Sequence, residues 1–367
     1  MAHLYGQDRR AVDLLRRVGD PSQLGGILPV ELTDGPERGT RAALVRSGSG
    51  LDFLVLLDRG MDIALASYQG IPLSYLSCTG LVAPAHFESQ GSGWLRGFYA
   101  GLLTTCGLMH VGPPDCDSDR AFGHHDRASH LPAREVSLRS HWHGDSYVME
   151  IQGVLRQAAF FGEYLTLHRR ISLRLGEARL FIHDTVQNLG YAPTPHRILY
   201  HINAGYPLLD AAARLLAPAR AVCANDAGAQ ASMLAWDRCT DPQHDQPEEN
   251  YTLDLQAGPD GLTGVALVNP GLGDRGGLGL YIHYRQQELA YFHLWKMFGE
   301  GAYVLGMEPA NSPDLPRERI RAEGKMPCLA PGEHREYEIE IGVLPDAASI
   351  AREEAWIVSL SSSNPDP

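Results

Sequence analysis

Thirteen short runs rich in Val, Ile, Leu, Tyr and Phe follow one another along this 367-residue chain, and turn residues separate them. Such runs are typical of β-strands, in which successive side chains point to opposite faces, as we expect for 181–186. The runs are 42–45, 51–57, 63–68, 136–138, 146–155, 165–175, 179–187, 196–203, 264–268, 279–284, 289–295, 303–307 and 337–343.

Helical periodicity is nearly absent beyond residues 11–18, where the sequence AVDLLRRV predicts a short amphipathic helix. Many strands at short spacing with almost no helix between them favour a large all-β, antiparallel architecture over an α/β fold. We find no linker long enough to divide the chain, so we expect one domain over residues 1–358. The polar segment 359–367 is expected to be a disordered tail.

The net charge of the chain indicates which kinds of binding partner are disfavoured. A formal net charge of −13 disfavours binding to nucleic acid or to an anionic membrane, since both need clustered Lys and Arg. The N-terminal stretch carries charges where a signal peptide is apolar, so we expect a cytoplasmic protein. Six cysteines without a C-x-x-C pair indicate reduced thiols rather than a zinc site or a disulfide framework. We predict no cofactor and no resident metal, and the sequence leaves the oligomeric state open.

The stretch YHINAGYPLL at 200–209 is the strongest candidate for a site. In an extended strand, His201 and Asn203 share one face, which places a proton-transferring imidazole beside an amide. The stretches FGHHDRASHLPA at 122–133 and GMEPANS at 306–312 add imidazole, guanidinium and carboxylate groups. Together these groups suit acid and base chemistry on a polyhydroxylated substrate.

Several of these residues have two interpretations. Arg59 either offers a two-pronged contact to sugar hydroxyls or closes a hairpin with its neighbouring Asp. Glu308 is either a base at the mouth of a buried strand or a solvated edge residue. A metal site through His125, His141 or His143 is conceivable, whereas surface histidines are the simpler interpretation. Cys106 lacks a neighbour that would activate its thiol, so an inert buried cysteine is favoured.

In combination, five motifs resemble the aldose 1-epimerase (galactose mutarotase-like) superfamily, and more closely a bacterial branch whose members are mostly of unknown function. They extend over nearly the whole chain, from about residue 40 to residue 343. The motifs are DRGMDI (58–63), GLLTTCGL (101–108), HHDRASHLPA (124–133), LYHINAGYPLL (199–209) and GMEPANSP (306–313). The resemblance implies a β-supersandwich with few short helices and a sugar-binding groove on one curved sheet.

The resemblance also implies roles for individual residues. Glu308 would take the proton of the anomeric hydroxyl while His201 protonates the ring oxygen from the facing side of the sugar. This scheme requires an ionised Glu308 and a protonated His201 at rest. Arg59, His125 and Arg127 would hold hydroxyls, and Asn203 would contact a hydroxyl or support the histidine.

The chain departs from the branch pattern, which usually reads HGR where this sequence has HDR at 125–127, so Asp126 adds a charge beside the groove. The carboxylate that grips sugar hydroxyls in mutarotases has no evident counterpart, although Asp245 and Glu248 are candidates. The predicted function is interconversion of the anomers of a free or modified sugar. The alternatives are a non-catalytic sugar-binding or sensing protein, and another sugar epimerase or isomerase that uses a metal.

Overall fold

A computed structural model describes residues 1–117, 120–274 and 276–362, and β-strands dominate it. The strands are β1 (Ala2–Leu4), β2 (Gln7–Arg9), β3 (Gly26–Glu31), β4 (Arg41–Arg46), β5 (Leu51–Leu56), β6 (Asp62–Tyr68), β7 (Ile71–Pro72), β8 (Tyr75–Leu76), β9 (Ala100–Gly101), β10 (Leu103–Leu108), β11 (Asp115–Asp117), β12 (Arg120–Phe122), β13 (Arg134–His143), β14 (Ser146–Ala158), β15 (Tyr164–Arg174), β16 (Arg179–Asn188), β17 (Thr194–Pro195), β18 (Arg197–Gly205), β19 (Arg214–Leu216), β20 (Ala219–Ala224), β21 (Glu249–Leu255), β22 (Leu262–Asn269), β23 (Leu278–Arg285), β24 (Tyr291–Gly299), β25 (Ala302–Ala310), β26 (Cys328–Leu329) and β27 (His334–Leu344). The α-helices are α1 (Ala11–Leu15), α2 (Ala227–Ala231), α3 (Arg317–Ala322) and α4 (Ala347–Ser362). Each of the thirteen predicted runs overlaps a strand, so the all-β prediction is confirmed.

Two large antiparallel sheets make up the fold. The larger sheet has the order β20-β21-β24-β25-β18-β10-β6-β5-β4-β3, with β7 added beside β6. The smaller sheet has the order β13-β14-β15-β16-β27-β23-β22-β19. Strands distant in sequence are neighbours in the centre of the larger sheet, where β18 lies between β10 and β25. This central strand carries the stretch that the sequence singled out.

The main hydrophobic core lies between the sheets and takes side chains from both. β16 buries only alternate residues, since its other face is open to solvent. β18 is buried along its whole length. Its residues Ile198, Tyr200 and Ile202 enter the core, whereas Leu199 belongs to a separate cluster on the opposite face. The opposite face of β18, covered by loops, is therefore where His201 lies.

A buried ionic network joins the sheets directly beneath that face. Arg169 of β15 is bonded to Asp184 of β16, at 2.6 Å from Nη2, and to Asp62 of β6, at 3.1 Å from Nη1. Tyr200 donates to Asp184 at 2.7 Å, and Thr105 donates to Asp62 at 2.6 Å. Because Tyr200 and Thr105 come from the two central strands β18 and β10, the network fixes the position of the strand that carries His201.

The glycine-rich stretch GLLTTCGL is packed tightly against its neighbours. Gly107 has a φ of +130°, and a Cβ there would overlap the carbonyl oxygen of Arg197 on β18. A residue with a side chain would therefore push β10 away from β18.

The chain ends differ from the predictions. α1 covers only Ala11–Leu15 of the predicted helix 11–18. The expected disordered tail does not begin at Ser359, because the 16-residue helix α4 continues through Ser362. α4 packs Ile350 and Ile357 against the smaller sheet, and residues 363–367 lie outside the described residues. None of the helices in the described part of the chain is long and apolar enough to cross a membrane.

Candidate functional site

His201 and Glu308 lie side by side on the covered face of the larger sheet. β18 and β25 pair with Ile202 opposite Met307, and this register places His201 directly across from Glu308. Nε2 of His201 is 3.2 Å from Oε1 of Glu308, and the two side chains are only 7% and 8% exposed. The sequence predicted these two residues, and the structure brings them together. It places them on adjacent strands rather than on facing sides of a groove.

Gly306 provides the space that the pair occupies. It lies two residues before Glu308 on β25, on the same face, and opposite Trp295 of β24. A Cβ at this position would overlap Oε1 of Glu308 and would lie 3.2 Å from both Cε1 of His201 and Cβ of Trp295. The glycine in the GMEPANS stretch is therefore needed for a close His–Glu approach.

Aromatic rings surround the His201–Glu308 pair. The Phe98 ring lies 5.3 Å from the His201 ring, and the Trp295 ring lies 5.4 Å from it on an edge-on approach. Trp94 stacks on Phe98 at 4.7 Å. Sequence reasoning missed these aromatic residues because they come from a loop and from β24, distant in the chain from the motifs. Aromatic faces beside polar groups are well suited to hold the apolar C–H surface of a ring.

The His124–His125 segment forms another wall of the site. An extended segment would send the two side chains to opposite sides, but His125 has a φ of +50° and the chain turns here. Both rings consequently lie against Trp94, at 5.5 Å and 4.7 Å. The His125 ring is 6.0 Å from the His201 ring, and its Nδ1 accepts the backbone N–H of Gly112. Nε2 of His125 therefore carries the proton and is available as a donor.

Burial sets the protonation of the pair. Burial lowers the pKa of His201 to about 3. Burial also raises the pKa of Glu308 well above its usual value, and the charges of Asp314 and Glu248 raise it further. At neutral pH the ligand-free pair thus has a neutral imidazole and a protonated carboxyl. The expectation of an ionised Glu308 beside a protonated His201 is wrong for this state, because neither charge is solvated.

Three polar atoms at the site are buried without a hydrogen-bond partner among the described residues. They are Nδ1 of His201, Oδ1 of Asn203 and Oε1 of Glu308. Asn203 donates to the carbonyl oxygens of His201 and Ala100, at 2.9 Å and 3.2 Å, and its proximity partly offsets the lowered pKa of His201. The side-chain amide of Asn203 is thus bonded to the backbone of His201, while the supporting role predicted for it stays a prediction. Unsatisfied buried polar atoms cost free energy and often mark functional sites.

Arg59 does not reach the site, contrary to its predicted contact with hydroxyls. Its side chain is 1% exposed and donates to the carbonyl oxygens of Ser129 (2.7 Å), Gly97 (3.0 Å) and Val82. Nη2, the nitrogen that donates to Gly97, also lies 3.1 Å from Nε2 of His130. The guanidinium is occupied in holding three loops together, so Arg59 is a structural residue.

The two residues after His125 also point away from the pair. Arg127 is bonded to the carbonyl oxygen of Ala158 at 2.9 Å and lies 3.4 Å from Glu163, at the β14–β15 hairpin. Its predicted contact with substrate is therefore not supported. Asp126 is half-buried and accepts the side-chain amide of Gln157 at 2.6 Å. Burial raises the pKa of Asp126, and its carboxyl also accepts the backbone N–H of Met109 at 3.1 Å, so it is engaged by the protein rather than directed at the pair.

Two carboxylates border the site. Glu248 accepts the indole N–H of Trp295 at 3.1 Å, and its charge reaches Glu308. Asp314, in the exposed turn after β25, also acts on Glu308. Asp245, the other sequence candidate, is 90% exposed beside His244. Of the two candidates named from the sequence, Glu248 is the one that lies near the pair.

His293 on β24 is opposite Glu308 on the side away from His201. Its Nε2 donates to the carbonyl oxygen of Ser312 at 3.2 Å, so its Nδ1 accepts the hydroxyl of Thr252 at 3.3 Å. Burial lowers the pKa of His293. Glu308 is thus flanked by two neutral imidazoles. The sequence offered no signal for His293 beyond the alternation of β24.

The remaining candidates lie elsewhere or are inert. Burial raises the pKa of the Cys106 thiol well above its usual value. His141 and His143 are exposed on the edge strand β13 of the smaller sheet, whereas His125 covers the larger sheet. Within the described ranges, no group of three or more His, Cys, Asp or Glu side chains is arranged to hold a metal ion.

Comparison with solved structures places the fold among known proteins. The "putative aldose 1-epimerase" of Klebsiella pneumoniae subsp. pneumoniae MGH 78578 superposes with a TM-score of 0.86 at 26% identity, over 92% of this chain and 88% of that one. A galactose mutarotase-like protein from Clostridium acetobutylicum gives 0.60 at 14% identity, over 87% and 98%. Galactose 1-epimerase from Lactobacillus acidophilus NCFM gives 0.54 at 12% identity, over 87% and 99%. The predicted galactose mutarotase-like fold is confirmed.

Sequence comparison is less informative about activity. No curated protein sequence matches this chain. A family model described as a domain of unknown function, DUF4432, matches residues 37–343, which include both members of the His201–Glu308 pair. The chain belongs to the DUF4432 family and has the fold of the galactose mutarotase-like proteins.

Proposed function

We propose that this protein is an enzyme of the aldose 1-epimerase type, which interconverts the anomers of a free or modified sugar. The observation that carries the proposal is the His201–Glu308 pair, whose reacting atoms are 3.2 Å apart in a buried, aromatic-walled site. A binding protein has no need of two titratable groups at this separation. The similarity to mutarotase-like folds supports the same conclusion.

The pair has the single proton that the reaction needs. Opening a cyclic sugar removes the proton of the anomeric hydroxyl, adds a proton to the ring oxygen and breaks the bond between the anomeric carbon and that oxygen. With the proton initially on Glu308, Glu308 donates to the ring oxygen while His201 accepts from the hydroxyl. The open-chain aldehyde rotates and re-closes with the roles exchanged. Each residue keeps its own oxygen through the cycle, so this scheme places Glu308 at the ring oxygen and His201 at the anomeric oxygen, the reverse of the assignment implied by the resemblance.

The surrounding residues supply the sugar contacts. Nε2–H of His125 donates to a hydroxyl, and the Glu248 carboxylate accepts from one, while the faces of Phe98 and Trp295 contact the C–H surface of the ring. Asn203 holds His201 in place through the strand. Positioned acid and base groups contribute roughly 10²–10⁴-fold each to such a rate.

The proposal is tested by measuring anomer exchange with NMR saturation transfer over a panel of aldoses and acidic aldoses. We expect the wild-type protein to accelerate exchange of at least one sugar, and Glu308→Gln and His201→Asn to abolish the acceleration. His244 and Glu300 provide the matched control, since they form an exposed His–Glu contact of 3.0 Å. Their Asn and Gln variants should retain full activity.

Two results would count against the proposal. Absence of exchange with every sugar would contradict it, and saturable sugar binding in that case would indicate a sensing protein. Exchange that survives in both Glu308→Gln and His201→Asn would show that the pair is not the proton-transfer machinery. Activity that a chelator abolishes would favour the metal-assisted alternative.

A further inference from the structure

Arg197 differs from the other fully buried arginines of the described chain. Arg169 faces two carboxylates and Arg317 contacts Asp117 at 2.9 Å, whereas Arg59 is bonded to three carbonyl oxygens and a histidine. Arg197, which is 0% exposed, donates only to Oγ of Ser312 and the carbonyl oxygen of Pro313, both at 2.9 Å. Its Nη1 has no partner among the described residues, and no described carboxylate lies within 4.0 Å.

Arg197 borders the site of His201. The two residues lie on the same face of β18, four residues apart, which corresponds to roughly 13 Å of extended strand. His125 links them, because both residues act to lower its pKa. On the other side, Ser312 accepts from Arg197 and also from His293, which is paired with Glu308. The arginine is therefore next to the groups that contact the sugar.

A buried cation without an anionic partner is costly, and the cost falls when an anion binds. Burial and the charge of Arg317 lower the pKa of Arg197 to about 10, so it remains charged at neutral pH. Two acidic groups act on it from a distance. Asp115 already accepts the backbone N–H of Arg317 at 2.7 Å, and Asp314 is exposed. In a chain of net charge −13, an uncompensated guanidinium beside the site is unexpected.

His110, like Arg197, has a buried polar atom without a hydrogen-bond partner among the described residues. Its Nε2 donates to the carbonyl oxygen of Pro113 at 2.7 Å, while its buried Nδ1 has no partner among the described residues. The charges of Arg197 and Arg317 both act on its pKa. The described structure thus leaves one donor and one acceptor unsatisfied in a cationic environment. An oxyanion would satisfy the unpaired donor of Arg197.

We propose that Arg197 binds an oxyanion substituent of the substrate, so that the sugar of the proposed function is an acidic aldose with a carboxylate or phosphate group remote from its anomeric carbon. This inference rests on the proposed function. Nη1 of Arg197 is inaccessible to solvent in the ligand-free structure, so entry of the anion requires displacement of packed residues, and Ser312 and Pro313, to which the guanidinium is bonded, are the nearest candidates. The anion itself repels Asp314 and favours that displacement.

The test compares neutral and acidic members of matched sets: glucose, glucuronate and glucose 6-phosphate, with the corresponding galactose and mannose sets. We expect kcat/KM for anomer exchange to be about 10- to 100-fold higher for an acidic member than for its neutral counterpart, as a charge-assisted hydrogen bond provides. Comparison of the carboxylate sugars with the phosphate sugars identifies which of the two anions Arg197 binds. Added KCl should raise KM for the acidic sugar only. Calorimetric binding of the same sugars is measured in parallel.

Three variants test whether the preference for acidic sugars depends on Arg197. Arg197→Gln should reduce the ratio between acidic and neutral sugars to about 1, and Arg197→Lys should retain part of it because the charge remains. Arg220→Gln, at an exposed arginine paired with Asp254, should leave the ratio unchanged. If Arg197→Gln does not fold, the salt dependence and the Lys variant still test the proposal.

The possible results separate this inference from the proposed function. Arg197-dependent binding of acidic sugars without exchange would support the inference and contradict the enzymatic proposal. Exchange of neutral sugars at rates equal to or above those of acidic sugars would overturn the inference. The proposed enzymatic function would still stand. An acidic preference that persists in Arg197→Gln, or no binding of any acidic sugar, would also overturn it.

Discussion

Gly306 is the residue whose size most directly controls the geometry of the His201–Glu308 pair. In Gly306→Ala the new Cβ would overlap Oε1 of Glu308, which is the end of a flexible side chain. The carboxyl can rotate away at little cost in stability, so we expect a change in unfolding free energy below about 1 kcal/mol. The rate of anomer exchange should fall at least about tenfold, because reacting groups tolerate little displacement.

The measurement for this variant is exchange NMR together with urea unfolding. Gly19→Ala is the control, since nothing lies within 4 Å of a Cβ at that position. A Gly306→Ala protein with wild-type exchange would show that the close contact of His201 and Glu308 is not required. A protein that loses several kcal/mol of stability would show that the glycine serves packing instead.

The pH dependence of exchange follows from the proton count of the pair. Burial lowers the pKa of His201 to about 3 and raises that of Glu308, so the pair keeps one proton from mildly acidic through neutral pH. We expect a flat rate across this range, with loss only where Glu308 ionises at high pH. A free histidine would instead produce an acid limb near its usual pKa of about 6.5. Rates at pH 5–9, with folding checked by circular dichroism, decide between the two profiles.

A sequence motif does not show which contacts a long side chain within it makes. The sequence identified His201, Asn203 and Glu308 because strand alternation fixes the direction of short side chains. Arg59 and Arg127 occur in equally suggestive motifs, but each guanidinium extends several bonds from the backbone and donates to carbonyl oxygens in other loops. Which acceptor such a side chain finds depends on contacts distant in sequence. Motif membership therefore did not predict their roles.

Arg59 and Arg127 both lie in connecting loops, but their substitution should change the free energy of unfolding by different amounts. Arg59→Leu leaves three carbonyl oxygens without their donor, and we expect a loss of about 2–4 kcal/mol in unfolding free energy. Arg127→Gln loses a partly exposed contact to Glu163, which keeps Arg120 at 2.9 Å. We expect that variant to retain KM within about twofold and to lose less than about 1 kcal/mol.

Urea unfolding and exchange kinetics of both proteins test this assignment. An Arg127→Gln protein with a KM raised tenfold at unchanged stability would restore the sugar-binding role first predicted for Arg127. Arg59→Leu with full stability and a raised KM would do the same for Arg59.

Strand positions were predictable from the sequence and strand partners were not. Alternation and β-branched residues mark each run locally. The neighbours of β18 are β10 and β25, which are distant in the chain, and no local pattern records that pairing. Helix α4 is preceded by a local signal: Asp346 and Ser349 form a reciprocal cap, in which the Ser349 N–H donates to Asp346 at 2.7 Å, ahead of an apolar stripe.

At the scale of the whole molecule, buried neutral histidines should make the protein sensitive to acid. Burial lowers the pKa of seven of them, each of which has an ordinary value near 6.5 in the unfolded chain. They are His110, His124, His125, His130, His196, His201 and His293. Below pH 6.5 the unfolded state binds more protons than the native state, so stability falls by up to about 1.4 kcal/mol per pH unit for each.

Three carboxylic acids oppose this trend. Burial raises the pKa of Asp62, Asp126 and Glu308, so the native state holds their protons where the unfolded chain has lost them. Their contribution to stability grows as pH falls, but they are fewer than the histidines. We expect the urea midpoint to fall between pH 6.5 and pH 5, and the exposed variant His244→Asn to show the same slope. A constant or rising midpoint would contradict this account.

The two-sheet architecture follows from many local signals that agree, which is why the antiparallel prediction holds for the whole chain. The protonation of the site does not follow from local signals. It depends on how completely two sheets and their loops exclude water from His201 and Glu308. Burial of that kind is a property of the assembled fold and cannot be read from the residues that flank either group.

A double-mutant cycle on anomer exchange tests the central claim most directly. We expect His201→Asn and Glu308→Gln each to lower the rate roughly 10²–10⁴-fold, and the double variant to be no slower than the worse single variant, because the two residues act as one proton-transfer unit. The measurement is saturation transfer on the best sugar of the panel. Losses that multiply, or a single variant with the wild-type rate, would contradict the account.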